Sequence, residues 1–261
     1  MGKTMPGASD TAHGVHSKIP KEQIKGLIEG LGIPDLAARL LYSRGIINPD
    51  EVQRLLFPKL EDLSDPFLLP DIDQGIKRTI EAIQKQENIC LYGDYDADGV
   101  TSVAILCNFF HHMGINPNIY IPGRHEGYGL NINAVKKLKE QGVSFLICLD
   151  CGSSNREEIE EAKKSGIDVI VIDHHETSNA DCFPVALINP KRADSRFPTR
   201  DLAACGVAFF FVLALRRALT RLGLLKHPVN LKKELDLVTI GSIGDMVPLI
   251  NDNRILVKFG I

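Results

Sequence analysis

Aspartate residues cluster directly after an apolar segment of this 261-residue chain. The segment GDYDADG carries Asp94, Asp96 and Asp98 at alternate positions. Carboxylates this close together repel one another unless cations compensate their charge or the pKa of a carboxyl group rises. The spacing therefore favours a cation-binding cluster over an ordinary polar turn.

Three later segments add side chains of the same kind. Asp150 follows the apolar run VSFLICL, the triplet Asp173-His174-His175 follows IDVIVI, and Asp245 follows IGSIG. A single aspartate at a strand–helix junction is usually a helix cap, which is the structural alternative for Asp150 and for Asp173. Recurrence of the pattern at several junctions favours one shared site.

The donor types in this set predict a hard divalent cation. Carboxylate oxygens with imidazole nitrogen suit Mn²⁺ or Mg²⁺, and zinc is less natural without thiolate ligands. Carboxylates sufficient for two ions indicate a two-metal centre for metal-assisted hydrolysis of a phosphate ester, with Asp150 as the expected bridge. A calcium loop of the EF-hand type is excluded, because no glutamate stands at its twelfth position and the residues from Val100 onward are predicted to be helical.

Short apolar strands that alternate with helices must position these residues. Strands are predicted at 87–94, 116–122, 143–150, 167–173 and 184–190. Because these runs are continuously apolar, both faces of the sheet are expected to be covered by helices. The pattern predicts an α/β fold: a doubly wound, mainly parallel sheet flanked by helices, with a small helical N-terminal lead-in. Ligands of such sheets bind at the carboxyl ends of the strands, where the candidate residues lie.

The chain is predicted to contain three regions. Residues 1–18 are polar and are expected to form a disordered tail. Residues 19–73 are expected to be a helical lead-in and connector, in which Asn48 caps a helix that starts at Pro49. Residues 74–261 are expected to form the α/β domain.

Composition excludes several classes of protein. The content of hydrophobic residues is 44% and that of charged residues 24%, which is typical of globular proteins rather than disordered, collagen-like or coiled-coil ones. A net charge of −3 excludes a wholly basic nucleic-acid binder but allows a local basic groove. Apolar runs fall short of the ~18–20 residues of a membrane span, so no membrane interaction is expected.

The six cysteines are scattered, and most of them lie in apolar runs. Buried free thiols of this kind indicate a reducing compartment, and we expect the protein in the cytoplasm. Cys148 and Cys151 form a C-x-x-C pair, which is interpreted as one strand residue and one turn residue, because a zinc site would need a second ligand pair.

Four segments, GDYDADG, DCG, DHH and GSIGD, resemble in order the signature blocks of the DHH phosphoesterase superfamily. The flanking segments GRHEGYGL and VALINPKR are similar to its single-stranded-DNA-specific exonuclease branch. The resemblance implies an enzyme that uses Mn²⁺ or Mg²⁺ to degrade single-stranded DNA from the 5′ end in DNA repair and recombination. It implies no particular protein partner.

The resemblance also implies roles for individual residues. Metal ligands are expected at six positions: Asp94, Asp96, Asp98, Asp150, His174 and Asp245. The catalytic set would be Asp150, His174 and His175, with His175 facing the scissile phosphate and Asn189 in a supporting position at the substrate. Arg124, in the glycine-rich loop, is a candidate phosphate contact. Gly123 and Gly244 stand where the family usually has asparagine and alanine.

Other functions remain open as alternatives. Oligoribonucleases, cyclic-dinucleotide phosphodiesterases and manganese pyrophosphatases of the superfamily usually begin with H-x-x-x-D-x-D, and here Tyr92 occupies the place of that histidine. A non-catalytic replication scaffold is a second alternative, and a truncated domain with little activity of its own is a third. The exonuclease branch continues into a DHH-associated domain and an oligonucleotide-binding domain, so the chain is expected to be a truncated portion.

Overall fold

The computed structural model describes residues 21–177, 184–225 and 227–261. The tail predicted at 1–18 and the thiol of Cys182 lie outside these residues. The chain divides into two units, Met1–Lys59 and Leu60–Ile261. The second unit thus begins before residue 74, because the predicted connector contains the 3-10 turns Leu60–Asp62 and Pro66–Leu68, whose apolar side chains pack against its hydrophobic core.

The described part of the first unit contains three helices, and the third is the helix predicted to start at Pro49. These are α1 (Lys21–Leu31), α2 (Asp35–Ser43) and α3 (Pro49–Leu56). The side chain of Asn48 accepts hydrogen bonds from the backbone N–H groups of Asp50 and Glu51, as expected for an N-cap followed by proline. A small core of aliphatic side chains joins the helices: Ile24, Leu27, Ile33, Ala38, Leu41 and Val52.

A five-stranded sheet forms the centre of the second unit. Its strands are β1 (Ile89–Gly93), β2 (Asn118–Tyr120), β3 (Phe145–Leu149), β4 (Asp168–Ile172) and β5 (Ala186–Ile188). The spatial order is β2-β1-β3-β4-β5, and every pair is parallel. The predicted parallel sheet is therefore confirmed, although the edge strands β2 and β5 are shorter than the sequence predicts.

Helices cover both faces of the sheet. They are α4 (Ile72–Gln84), α5 (Ala97–His112), α6 (Ile132–Glu140), α7 (Arg156–Lys164), α8 (Ala204–Arg221), α9 (Leu235–Gly244) and α10 (Asn251–Gly260). Alternate residues of β1, β3 and β4 point to a core that contains α6 and α7, and the others point to a core that contains α4, α5 and α8. This arrangement confirms the doubly wound fold. Among the described helices, none is long and apolar enough to cross a membrane.

The strand register sets the level of the candidate site. The last residues of β1, β3 and β4 are paired with one another, so the residues that follow them, Asp94, Asp150 and Asp173, lie side by side. The backbone N–H of Asp150 donates to the carbonyl of Ile172 at 3.0 Å, which continues the strand pairing by one residue. Cys148 and Cys151 are free, buried thiols on and just after β3, as the structural interpretation of the pair expects.

Candidate metal centre

The turn after β1 places its three aspartates in different environments. Asp94 and Asp98 are buried, whereas Asp96 is exposed. Asp96 caps α5, because its Oδ1 accepts hydrogen bonds from the N–H groups of Asp98 and Gly99, each at 2.9 Å. A Cβ atom on Gly99 would lie 2.5 Å from the carbonyl oxygen of Asp94, so glycine is required where α5 begins against the end of β1.

Asp98 is held by the first turn of α8. Its Oδ2 accepts a hydrogen bond from the N–H of Ala204 at 2.6 Å, and its Oδ1 accepts one from the N–H of Cys205 at 2.8 Å. Burial acts to raise the pKa of Asp98, and the hydrogen bonds from α8 oppose this effect. The positive end of a helix thus supports a carboxylate that is almost fully removed from water.

Asp150 lies in the left-handed region of backbone conformation, at a φ of 61°. The next helix begins at Arg156 with Asn155 as its N-cap residue, so Asp150 caps no helix. The cap alternative is therefore wrong for Asp150. A non-glycine residue at positive φ is uncommon, and such strain is found most often at functional sites.

The buried carboxylate of Asp150 has one oxygen that, among the described residues, lacks the hydrogen bond that usually accompanies burial. Within the described part of the chain, its Oδ1 has no hydrogen-bond partner, and neither has Oδ1 of Asp94. Burial, together with the charges of Asp98 and Asp96, raises the pKa of Asp150 to about 10. Buried carboxylate oxygens without partners are costly, and a bound cation would relieve both the desolvation and the repulsion.

Asp173 organises the turn after β4. Its carboxylate accepts hydrogen bonds from the N–H groups of Ser153 and His174 and lies 2.7 Å from Nδ1 of His175. Burial acts to raise the pKa of Asp173, but the hydrogen bonds with His175 and Ser153 outweigh it and lower that pKa below its usual range. Residues 174–177 are not helical, so Asp173 is no helix cap either. The predicted site residues omit Asp173, although it is the first letter of the DHH triplet.

His174 brings the carboxylates of three segments together. Its Nε2 lies 3.3 Å from Oδ1 of Asp150, 3.7 Å from Oδ2 of Asp98 and 3.7 Å from Oδ2 of Asp245. Asp245 follows directly after α9, so its carboxylate comes from the end of a helix, while Asp150 comes from the end of a strand. Residues far apart in the sequence therefore converge on one imidazole.

His175 is fixed from two sides. Its Nδ1 contacts Asp173, and this hydrogen bond raises the pKa of His175. The hydroxyl of Tyr128 lies 2.9 Å from Nε2 of His175 and 3.2 Å from the carbonyl oxygen of Asp150. The sequence indicates Tyr128 only as part of the glycine-rich loop 123–131. The composition of that loop is the sequence feature that could have indicated a role for Tyr128 in the site.

The two predicted substrate contacts differ in position. Arg124 is exposed, and its guanidinium lies 5.8 Å from the ring centroid of Tyr95, the residue between Asp94 and Asp96. Asn189 is fully buried. Its Nδ2 donates to Oγ of Ser153 at 3.0 Å and to the carbonyl of His175 at 2.9 Å. Asn189 therefore supports the loops behind the site instead of offering its side chain to a substrate, because its amide hydrogens are already used inside the protein.

Three overlapping groups of ligand atoms fit divalent ions. In each group the ligand atoms lie within 4.8 Å of one another, and the groups are Asp94-Asp96-Asp150, Asp150-His174-His175 and Asp98-His174-Asp245. Asp150 and His174 each belong to two groups. Together with the unpartnered oxygens of Asp94 and Asp150, this donor set fits the hard cations that the sequence predicts.

A family model matches the part of the chain that contains the sheet and most of the candidate metal centre. The model of the "DHH family, N-terminal domain" matches residues 88–242. The single-stranded-DNA-specific exonuclease RecJ of Bacillus subtilis is 37% identical over 242 residues, which are 92% of this chain and 29% of that protein. RecJ of Haemophilus influenzae is 36% identical over 87% of this chain and 39% of its own length. The chain thus spans less than half the length of these relatives.

Solved structures give a similar result. The crystal structure of RecJ in complex with Mn²⁺ from Thermus thermophilus superimposes with a TM-score of 0.73 at 28% identity. The match covers 93% of this chain and 33% of that one. A structure of exonuclease RecJ bound to manganese matches 74% of this chain and 47% of its own, with a TM-score of 0.64 and 33% identity.

Proposed function

The chain belongs to the DHH family, and we propose that it carries a metal-dependent phosphodiesterase centre that hydrolyses single-stranded DNA. The observation that carries the proposal is the convergence of three carboxylates on His174: the buried Asp98 of the first turn of α5, the buried Asp150 after β3, and the partly exposed Asp245 after α9. The relatives named as single-stranded-DNA-specific exonucleases support the choice of substrate.

The proposed cofactor is Mn²⁺ or Mg²⁺, with two ions in the complete centre. Asp94, Asp96 and Asp150 would hold one ion, and Asp98, His174 and Asp245 would hold the other. When bound, such ions lower the pKa of a coordinated water and neutralise the phosphoryl group under attack. Asp150 connects the two groups of ligands, because its Oδ1 lies 3.3 Å from Nε2 of His174 in the second group.

His175 is the proposed contact to the scissile phosphate. Oδ1 of Asp173 accepts a hydrogen bond from Nδ1 of His175 and thereby fixes the plane of the ring. Nε2, on the other side of the ring, is the atom that can donate a proton to the leaving oxygen or a hydrogen bond to the phosphate. The hydroxyl of Tyr128 orients this atom relative to the backbone of Asp150.

The substrate is proposed to be a DNA strand that is degraded from its 5′ end to mononucleotides, in DNA repair and recombination. Arg124, exposed beside Tyr95 at the rim of the centre, is the proposed contact to a phosphate of the strand. Polarity and pathway come from the resemblance to the exonuclease branch. The exposed position of Arg124 supports the phosphate contact.

A specific observation favours the exonuclease over the other hydrolases of the superfamily. Tyr92, in the place of their first histidine, is fully buried, and its hydroxyl donates to the carbonyl of Gly129 at 2.9 Å. It therefore offers no ligand to the centre. The retained carboxylates argue against a non-catalytic scaffold, because buried charges of this density serve no packing purpose.

A nuclease assay tests the proposal. The chain is incubated with Mn²⁺ and with single strands labelled at the 5′ or the 3′ end, beside duplex DNA, short RNA and pyrophosphate. We expect labelled mononucleotide to be released first from 5′-labelled single strands. Preferential hydrolysis of RNA or pyrophosphate would assign the chain to another branch. Metal binding without hydrolysis of any substrate would favour the scaffold or a truncated domain with little activity of its own.

A further inference from the structure

A cavity of about 680 Å³ lies at the C-terminal end of α8 and is lined by none of the residues of the metal centre. We refer to it as the arginine cavity, because Arg216, Arg217 and Arg221 form part of its wall. The metal centre contacts α8 at its first turn, through Ala204. A helical rise of 1.5 Å per residue places Arg217 roughly 20 Å further along the helix.

The cavity contains more positive than negative charge. Arg216 donates through Nη1 to the carbonyl of Val229 at 3.0 Å, and Arg217 forms an ion pair with Asp65 at 3.1 Å. In the described ranges no carboxylate pairs with Arg216 or Arg221. Burial and the neighbouring charge of Arg217 lower the pKa of Arg216.

The remaining wall contains an apolar part, formed by Leu225, Pro228 and Val229, and the polar side chains of Thr220 and His227. The volume falls in the range of about 300–1,000 Å³ that is typical of small-molecule sites. Guanidinium groups suit phosphate oxygens, because their donors match them in pairs, and an apolar wall suits the flat face of a base or a sugar.

We propose that the arginine cavity binds a nucleotide, with its phosphate on the arginines and its base against Leu225 and Pro228. The nucleotide comes either free in solution or as part of a nucleic-acid strand. The proposal does not rest on the proposed function, because the cavity shares no residue with the metal centre.

Calorimetric titration of the whole chain in excess chelator tests this site, since the chelator removes ions that would attract phosphate to the metal centre. The probes are thymidine 5′-monophosphate, an oligothymidylate and inorganic phosphate. We expect a thymidine ligand to bind, and to bind more tightly than inorganic phosphate. Binding of the monophosphate indicates a free nucleotide as the natural ligand, and binding of the oligothymidylate alone indicates a segment of a strand.

Substitutions of the cavity arginines test whether the nucleotide binds in the arginine cavity. The variant R217Q/R221Q is expected to lower the affinity roughly tenfold or more, because charge-assisted hydrogen bonds to the phosphate are lost. R221Q alone removes no hydrogen bond or ion pair among the described residues, and it is expected to lower the affinity by a smaller factor. R54Q, an exposed arginine of α3, is the control and is expected to leave the affinity unchanged. Equal affinity of R217Q/R221Q and the unchanged chain, absence of thymidine binding, or equally tight binding of inorganic phosphate would overturn the proposal.

Discussion

The carboxylates of the metal centre differ in whether they also form hydrogen bonds that stabilise the fold. Asp96 caps α5, and Asp98 accepts two backbone hydrogen bonds from α8, so both also stabilise the fold. Asp150 caps no helix, and its Oδ1 has no hydrogen-bond partner in the described part of the chain. At the scale of the residue, Asp150 is therefore the position where function can be removed with least damage to structure.

Asp150→Asn is expected to abolish turnover and to weaken Mn²⁺ binding, while the free energy of unfolding in chelator stays equal or rises. Asparagine fits the same volume, tolerates the left-handed backbone conformation and never carries the buried charge whose cost raises the pKa of Asp150 to about 10. Nuclease rates, Mn²⁺ calorimetry and thermal melting measure the three quantities. Asp73→Asn, at an exposed position of α4, is the matched control. A loss of stability of about 0.5–2 kcal/mol with retained turnover would indicate a purely structural role.

Tyr128→Phe is expected to lower kcat by about tenfold, with nearly unchanged KM for DNA and unchanged Mn²⁺ affinity. The substitution removes only the hydroxyl, which contacts Nε2 of His175 and the backbone carbonyl of Asp150, so the proposed proton donor loses its orientation while the side chains of the proposed metal ligands are unchanged. Steady-state kinetics and metal titration separate these effects. Tyr42→Phe, in α2, serves as the control, and an equal loss of kcat in both variants would contradict the assignment.

At the scale of the element, the centre depends on three helices that meet at Asp98. A Cβ atom on Gly241 of α9 would lie 2.5 Å from Sγ of Cys205 on α8 and 2.5 Å from Oγ1 of Thr101 on α5. It would also lie 3.0 Å from Oδ1 of Asp98. The close approach of α9 brings Asp245, which follows the helix, within reach of His174.

Gly241→Ala is expected to destabilise the fold by about 1–3 kcal/mol and to lower Mn²⁺ affinity, because the added methyl group separates α9 from α5 and α8. Gly26→Ala in α1 adds the same group where no atom lies within 4 Å, and is expected to stabilise its helix by about 0.5–1 kcal/mol. Denaturant unfolding of both variants measures the difference. Unchanged stability and metal binding in Gly241→Ala would show that the helices can separate without cost.

The elements also show what sequence can predict. Continuous apolar strands predict a buried parallel sheet. The carboxyl ends of these strands predict where Asp94, Asp150 and His174 meet. Both predictions succeed because they depend only on the local sequence pattern. The roles of Tyr128 and Asn189 depend on how loops from different strands fold over one another. The hydrophobic periodicity of a sequence does not indicate contacts between loops. The sequence therefore does not single out Tyr128, and it assigns Asn189 to the substrate.

At the scale of the whole molecule, every residue of the metal centre belongs to the second unit, Leu60–Ile261. These residues come from segments spread between β1 and the end of α9. An unfolded chain does not hold them together, so an ion that binds the folded state stabilises it by an amount that grows with the ion concentration relative to Kd.

Mn²⁺ and Mg²⁺ are therefore expected to raise Tm and to support hydrolysis, whereas Ca²⁺ supports hydrolysis poorly. At a free ion concentration of 100 Kd the stabilisation is about 2.7 kcal/mol. Ca²⁺ prefers more oxygen ligands at longer distances and activates water less. Scanning calorimetry and nuclease assays with each ion and with chelator measure both effects. Full activity in excess chelator would refute the metal-dependent mechanism.

The position of His174 between Asp98 and Asp245 has a consequence for the time scale of metal loss. An ion held by these side chains would act as a crosslink that closes a loop containing β2 to β5, and opening of that loop is the route of release that we expect. Exchange with a chelator is then expected to be limited by local unfolding at the carboxyl edge of the sheet instead of by diffusion. Backbone amides at the ends of β1, β3 and β4 are expected to exchange with deuterium at the same rate as the ion departs.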